Sequence, residues 1–111
     1  MVSQNLVVIS GFVGQEPKIT TFDNGNQIAN ISIATNHSYK NDKGEKIEQT
    51  DWHPVVISGK RAKVVQDYVK KGTYMQVQGR LRHRKYTDKD GIDRYVSEVI
   101  ADDMKFHNAK E

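Results

Sequence analysis

The sequence predicts an all-β fold: a five-stranded Greek-key barrel with one short helix between the third and fourth strands. Three observations predict it. Apolar and polar residues alternate at period two from Ile28 to Thr35 and from Tyr74 to Tyr86. Turn formers break the chain at regular intervals, at Gly14 and Pro17, Asp23-Asn24-Gly25-Asn26, Asn41-Asp42-Lys43-Gly44 and Asp88-Lys89-Asp90-Gly91. Only the segment from Lys60 to Lys71 repeats its apolar residues at spacings of three and four.

Each element follows from its residues. Leu6 to Val13 is the first strand. Ile28 to Thr35 is the second, with Ala29, Ile31 and Ile33 alternating against Asn30, Ser32 and Ala34. Residues 36–50 are polar and read as a long hairpin loop, and Asp51 to Gly59 is the third strand. In the helix, Ala62, Val65 and Val69 share one face, Val64 and Tyr68 widen it, and Gly72 stands at the C-cap. From Tyr74 to Tyr86, Met75, Val77, Gly79 and Leu81 point one way, and Gln76, Gln78, Arg80 and Arg82 the other. Asp93 to Ala101 is the returning strand, and the residues after it carry little pattern. Three strands, one helix and two strands is the order of the oligonucleotide-binding (OB) barrel.

The totals bound the function. A chain of 111 residues suits one domain, and its 36% hydrophobic and 28% charged residues suit a folded, soluble one. With no cysteine there are neither disulfides nor thiolate metal sites. The start lacks a basic segment, and Leu6-Val7-Val8-Ile9 is too short for a signal core or a membrane span, so a cytoplasmic protein without membrane contact is expected. The net charge of +3 is unevenly spread: residues 59–86 hold nine Lys and Arg against the single acid Asp67. Such clustering fits a polyanionic partner, and equally a solvated charged helix.

The densest chemistry lies in Arg80-Leu81-Arg82-His83-Arg84-Lys85-Tyr86. Alternation puts Arg80, Arg82, Arg84 and Tyr86 on one strand face, where three guanidinium groups repel one another unless a counter-charge is supplied. A nucleic-acid backbone supplies one, and Tyr86 offers a ring to a base. Tyr39-Lys40 is a second aromatic–basic pair. Trp52, the only tryptophan, shares a face with Pro54, Val56 and Ser58, which fits a core or interface residue as well as a stacking one. Pro54 lacks an N–H and marks an edge or bulge. The four histidines, His37, His53, His83 and His107, have no metal-ligand spacing. Gly59-Lys60-Arg61 lacks the hydroxyl of a phosphate loop, and no nucleophile motif is present, so no enzyme, cofactor or metal is expected.

Taken in order, several segments resemble bacterial single-stranded DNA-binding proteins, from Asn5 to about Met104. They are Asn24-Gly25 with residues 29–35, Glu48-Gln49-Thr50-Asp51-Trp52-His53, Tyr68-Val69-Lys70-Lys71-Gly72, and Gly79 to Tyr86 running through Asp90 to Tyr95. The resemblance implies an OB barrel over residues 1–106, homotetramer assembly and single-stranded DNA wrapped outside it. It assigns stacking to Tyr39, Trp52 and Tyr86, and subunit association to His53. Lys40, Lys60, Lys71, Arg80, Arg82, Arg84, Lys85 and Arg94 are the expected phosphate contacts. Ser58 falls where a fourth aromatic is usual, and Pro54 where a basic residue is usual. The family's acidic tail, which recruits replication and repair proteins, has no counterpart in the short extension 107–111. This fits either a shortened form or a short paralogue.

The resulting expectation is a protein that binds and protects single-stranded DNA without strong sequence preference during replication, recombination or repair. Two other readings stand beside it. A primosomal replication protein of the same superfamily, acting mainly through protein contacts, carries a stretch like Pro54-Val55-Val56-Ile57-Ser58-Gly59. A cold-shock-like RNA-binding barrel is the other.

Overall fold

Ala29, Ile31 and Ile33 all point into one core, and the strands around them define the architecture. The computed structural model describes residues 2–106. The elements are β1 (Val7–Val13), β2 (Lys18–Thr21), β3 (Gln27–Lys40), β4 (Lys46–Ser58), α1 (Lys60–Tyr68), β5 (Tyr74–Thr87) and β6 (Asp93–Phe106). The sheet runs β1-β5-β6-β4-β3-β2 and closes because β1 also pairs with β3, at Phe12–Ala34 and Val13–Ile33. The result is a closed five-stranded barrel of the OB type, with β2 added outside it along the start of β3. All pairings are antiparallel except β4 with β6, which meet in parallel at Val55–Val99 and Val56–Ile100.

The barrel interior holds the alternate residues of every barrel strand, among them Val13, Ile33, Val55, Ile57, Met75, Val77 and Val99. The helix α1 adds Ala62 and Val65 to this core and packs against β3 and β4. At Gly79 the β5–β6 register shifts, with Gln78 opposite Asp103 but Gly79 opposite Ala101. A Cβ at Gly79 would collide with the Ile100 carbonyl oxygen, so the close approach at this bulge requires glycine.

The expected barrel holds: β2 is an extra short strand outside it, so α1, which follows β4 in chain order, joins the barrel's third and fourth strands. Other expectations are corrected. Residues 36–50 are not a long loop. They are the two arms of a hairpin paired from Thr35–Asp51 to Lys40–Lys46, wet on both faces and therefore without the apolar alternation that marks a half-buried strand. Strand β6 continues past Ala101 to Phe106, paired with Met75 to Gln78 of β5 and with Met104 packed against the core. The helix ends at Tyr68 instead of Lys71, and Tyr68 is 71% exposed, outside the apolar stripe. Val69 is extended because the next turn is claimed by other partners. The Thr73 hydroxyl accepts from the Lys70 N–H at 3.0 Å, and the Gly72 N–H donates to Val13 O at 2.8 Å. Gly72 keeps its left-handed φ of 95°, but in that turn and not at the helix cap.

Candidate nucleic-acid interface

The pairing register sorts the expected site residues onto faces, because residues paired across strands point to the same side of a sheet. On β4, Trp52, Pro54 and Ser58 are exposed and Val56 half-buried, while Val55 and Ile57 between them enter the core. Val56 stands beside Ile100, and Ile100 stands beside Arg80. Stepping by twos along β5 from Arg80 reaches Arg82, Arg84 and Tyr86, the last opposite Arg94. Trp52, Arg80, Arg82, Arg84, Tyr86 and Arg94 therefore occupy one continuous outer face, joined by Lys40 on β3.

Other expected residues are not on it. Tyr39 pairs with Ile47, on the side of the β3–β4 ribbon opposite Trp52, and its ring stacks on His37 with centroids 6.1 Å apart. Lys85 pairs with Tyr95 on the reverse of the β5–β6 ribbon. Lys60 opens α1, and Lys71 lies in the turn after it, its backbone N–H donating to a Glu16 carboxylate oxygen at 3.2 Å. His53 turns inward, half-buried, with its ring nitrogen 2.9 Å from the Thr35 hydroxyl.

None of the three expected stacking rings is sealed in the interior: Trp52 is 58% exposed, Tyr39 and Tyr86 45% each. Trp52 is thus no core residue. It lies across Gly14, where any Cβ would strike the six-membered ring. Beside it is an open groove of about 310 Å³ lined by Lys18, Asn30, Ser32 and Pro54 among others. At Pro54, β4 is paired only with β3, so the missing N–H faces an open edge.

The electrostatics correct one inference from sequence. The arginine row does not wait for an outside counter-charge, because Glu98 supplies one. Its carboxylate, 3% exposed, accepts from Arg82 Nε at 3.1 Å and Arg84 Nε at 2.9 Å on the same oxygen. Burial alone would raise the Glu98 pKa. The hydrogen bonds and charges of Arg84 and Arg82 outweigh it and hold the carboxyl below its ordinary value. The guanidinium of Arg84 sits 5.6 Å over the Tyr86 ring centroid, a cation–π contact that fixes the ring beside the row. Lys85 pairs with Asp93 at 3.3 Å and Arg94 with Asp88 at 2.9 Å. The Arg94 hydrogen bond, with backbone N–H donors from Ile92 and Asp90, lowers the Asp88 pKa. Among the described residues, Arg80, Lys40, Lys60 and Lys71 carry no side-chain ion pair. This surface is a positively charged strand face with exposed rings, its cations held in place by one buried acid. It has no cluster of His, Asp or Glu suited to a metal among the described residues.

The sequence itself matches the Single-strand binding protein family over residues 4–107. The chain belongs to that family. Among solved structures, it is similar to a Plasmodium falciparum protein described as an SSB complex with ssDNA, at 30% identity and a TM-score of 0.88, covering 97% of this chain and 98% of that one. A single-stranded DNA-binding protein from Thermus aquaticus, a deletion mutant, shares the fold at 24% identity and a TM-score of 0.83, with 96% of this chain covering 52% of that one. Within this single-strand binding family member, sequence reasoning missed Glu98 and Asn5. Glu98 was within reach: counting back from the turn at Asp88 to Gly91 pairs Thr87 with Asp93 and hence Arg82 with Glu98. Asn5 gave no signal. Its side-chain amide accepts from Leu81 N–H at 2.9 Å and donates to Leu81 O at 2.8 Å, extending the β5 ladder beyond the end of β1.

Proposed function

We propose that this protein binds single-stranded DNA without strong sequence preference and protects it during replication, recombination or repair, without catalysing a reaction. The observation that carries the reading is the shared outer face of Trp52 and the row Arg80, Arg82, Arg84, Tyr86. Bases stack on Trp52 and Tyr86, each contributing about 1–3 kcal/mol with little dependence on base identity. A strand wrapping the ribbon reaches Tyr39 on its reverse. Arg80, Lys40, Lys60 and Lys71 neutralise phosphates directly. Arg82 and Arg84 do so with the edges of their guanidinium groups that Glu98 leaves unused, and Lys85 and Arg94 exchange an acid for a phosphate. The domain is residues 1–106. The expected extension 107–111 lies outside the described residues.

Assembly into a homotetramer, with His53 near a subunit contact, is part of the same reading. It is supported by β1, which pairs with β5 along Val7–Phe12 but with β3 only at Phe12 and Val13. The other backbone edge of Val7 to Ser10 is open, beside the exposed Val8 and Phe12. Replication or repair proteins are the expected partners, in a cytoplasmic, nucleoid-associated setting.

Titration of Trp52 fluorescence with oligo-dT at several salt concentrations tests the reading. Strong quenching, absent with duplex, is expected, with log affinity falling against log salt by about 0.7 per phosphate contacted. Equal binding of duplex, or salt-independent binding, contradicts it. Comparing matched RNA oligomers tests the preference for DNA.

A further inference from the structure

The acids that pair with the cations of the β5–β6 hairpin differ in what a ligand can do to them. In Lys85–Asp93 and Arg94–Asp88 all four side chains are at least partly exposed, so a phosphate can take the place of the carboxylate. Glu98 is 3% exposed, whereas Arg82 and Arg84 above it are 41% and 47% exposed. A ligand arriving on this face meets the two arginines and not the acid. Neither arginine can let go of Glu98 without weakening the hold on a buried carboxylate, which is costly. A phosphate therefore adds to the Glu98 contacts and does not replace them.

The register places this acid at the middle of the row. Glu98 stands opposite Arg82 and diagonal to Arg84, and its neighbours on the same face of β6 are the half-buried Val96 and Ile100, which cannot share its charge. One carboxylate oxygen accepts from both Nε groups, at 3.1 and 2.9 Å, and from an Nη of Arg82 as well. Held in this way, each guanidinium keeps N–H groups free for a second acceptor. Arg84 in turn lies over the Tyr86 ring, so the anchor reaches an aromatic as well as two cations. Arg80, opposite Ile100 at the other end of the row, has no ion pair among the described residues.

We propose that Glu98 is a positioning residue for phosphate binding: it fixes Arg82 and Arg84, and through Arg84 the Tyr86 ring, and offsets one of the row's three positive charges. The strand then meets Arg80, Arg82 and Arg84 less Glu98, two net charges instead of three. In exchange, two long side chains are already held and lose less freedom when a phosphate arrives. The face binds more by fixed geometry and less by net charge, and keeps more of its affinity at high salt than three free arginines would. This role rests on the proposed single-stranded DNA binding and adds to it a determinant of its salt dependence.

The test titrates wild type, Glu98→Gln and Glu98→Asp with oligo-dT across a range of salt. Glu98→Gln keeps the side chain's size and removes its charge. Its log affinity is expected to fall more steeply against log salt by about 0.7, so that a tenfold rise in salt costs it about fivefold more affinity than wild type. The Arg82 and Arg84 Nε–H signals, distinct in NMR spectra of the wild type, are expected to merge in this variant. Glu98→Asp keeps the charge but withdraws the carboxylate by one CH₂, and is expected to show the wild-type slope with weaker binding at every salt. A purely structural Glu98 would lower the denaturation midpoint of Glu98→Gln and leave the slope of the folded protein unchanged, and that result overturns the proposal. Should Glu98→Gln fail to fold, Arg84→Ala and Arg80→Ala decide. With Glu98 offsetting its charge, Arg84→Ala is expected to reduce the slope by about half as much as Arg80→Ala, and equal reductions overturn the proposal. Failure of the wild type to bind oligo-dT is a distinct result: it overturns the reading on which the role of Glu98 rests.

Discussion

The barrel and its two hairpin arms are built from the same strands but held by different forces. Inside the barrel, Ile33, Val55, Ile57, Met75 and Val77 are fully enclosed, and burial of apolar surface stabilises the fold. Beyond Ala34–Trp52 on one ribbon and Leu81–Val99 on the other, both faces are largely exposed, with Glu98 the buried exception. There the strands are tied by polar pairs across the ladder: Thr50 to Asn36 at 2.9 Å, His83 to Ser97 at 2.7 Å, Lys85 to Asp93, and Glu98 to Arg82 and Arg84. The barrel fixes where the strands go. The arms carry rings and cations out to where a ligand can meet them, and their modest cross-strand contacts suffice because the barrel already sets their register.

The sharpest way to break this division is a core truncation. Ile57→Ala should cost about 2–5 kcal/mol in chemical denaturation, with DNA affinity of the remaining folded protein unchanged. A smaller effect on stability but a larger one on binding is expected in the arms. Tyr86→Ala should lose about 1–3 kcal/mol of affinity for all base compositions alike, measured by oligomer titration, with little change in denaturation midpoint. Loss confined to one base would contradict stacking as the main contribution.

Glu98 tests the boundary between the regions. Glu98→Ala should cost on the order of 1–2 kcal/mol, reduced from a fully buried pair because both guanidinium groups remain partly in water. Its folded pKa lies below the ordinary 4.5, so its contribution is complete above that value and is lost as pH falls through the lowered one. Glu98→Gln should lack that acid-dependent step in denaturation measured across pH. The smallest effect separates free from paired cations. Arg80→Ala should reduce the salt slope by about 0.7, and Arg94→Ala by less, since Asp88 already offsets its charge.

The same contrast explains what the sequence made legible. Residues 29–33 and 75–79 bury one face, so their period of two betrays strand, register and core together. At residues 36–50 nothing is buried, the polar run resembles a loop, and the arm is visible only through its pairing with β4. The row from Arg80 to Tyr86 was legible because charge makes alternation conspicuous. Its internal partner was legible only by counting the register across the hairpin, because Glu98 taken alone lies unmarked between the apolar residues Val96 and Val99. Tyr39 shows the limit of reading residue types alone. It shares Trp52's hairpin, but parity sends the two rings to opposite faces.

The central claim is that one outer face, running from β4 through β6 to β5, receives the single strand. Mapping backbone and indole NMR shifts on addition of oligo-dT tests it most directly. The account predicts perturbation at Trp52, Arg80, Arg82, Arg84 and Tyr86, with core positions such as Ile33 unmoved. Shifts concentrated on α1 and the exposed side of β1, with Trp52 and Tyr86 unaffected, would contradict it.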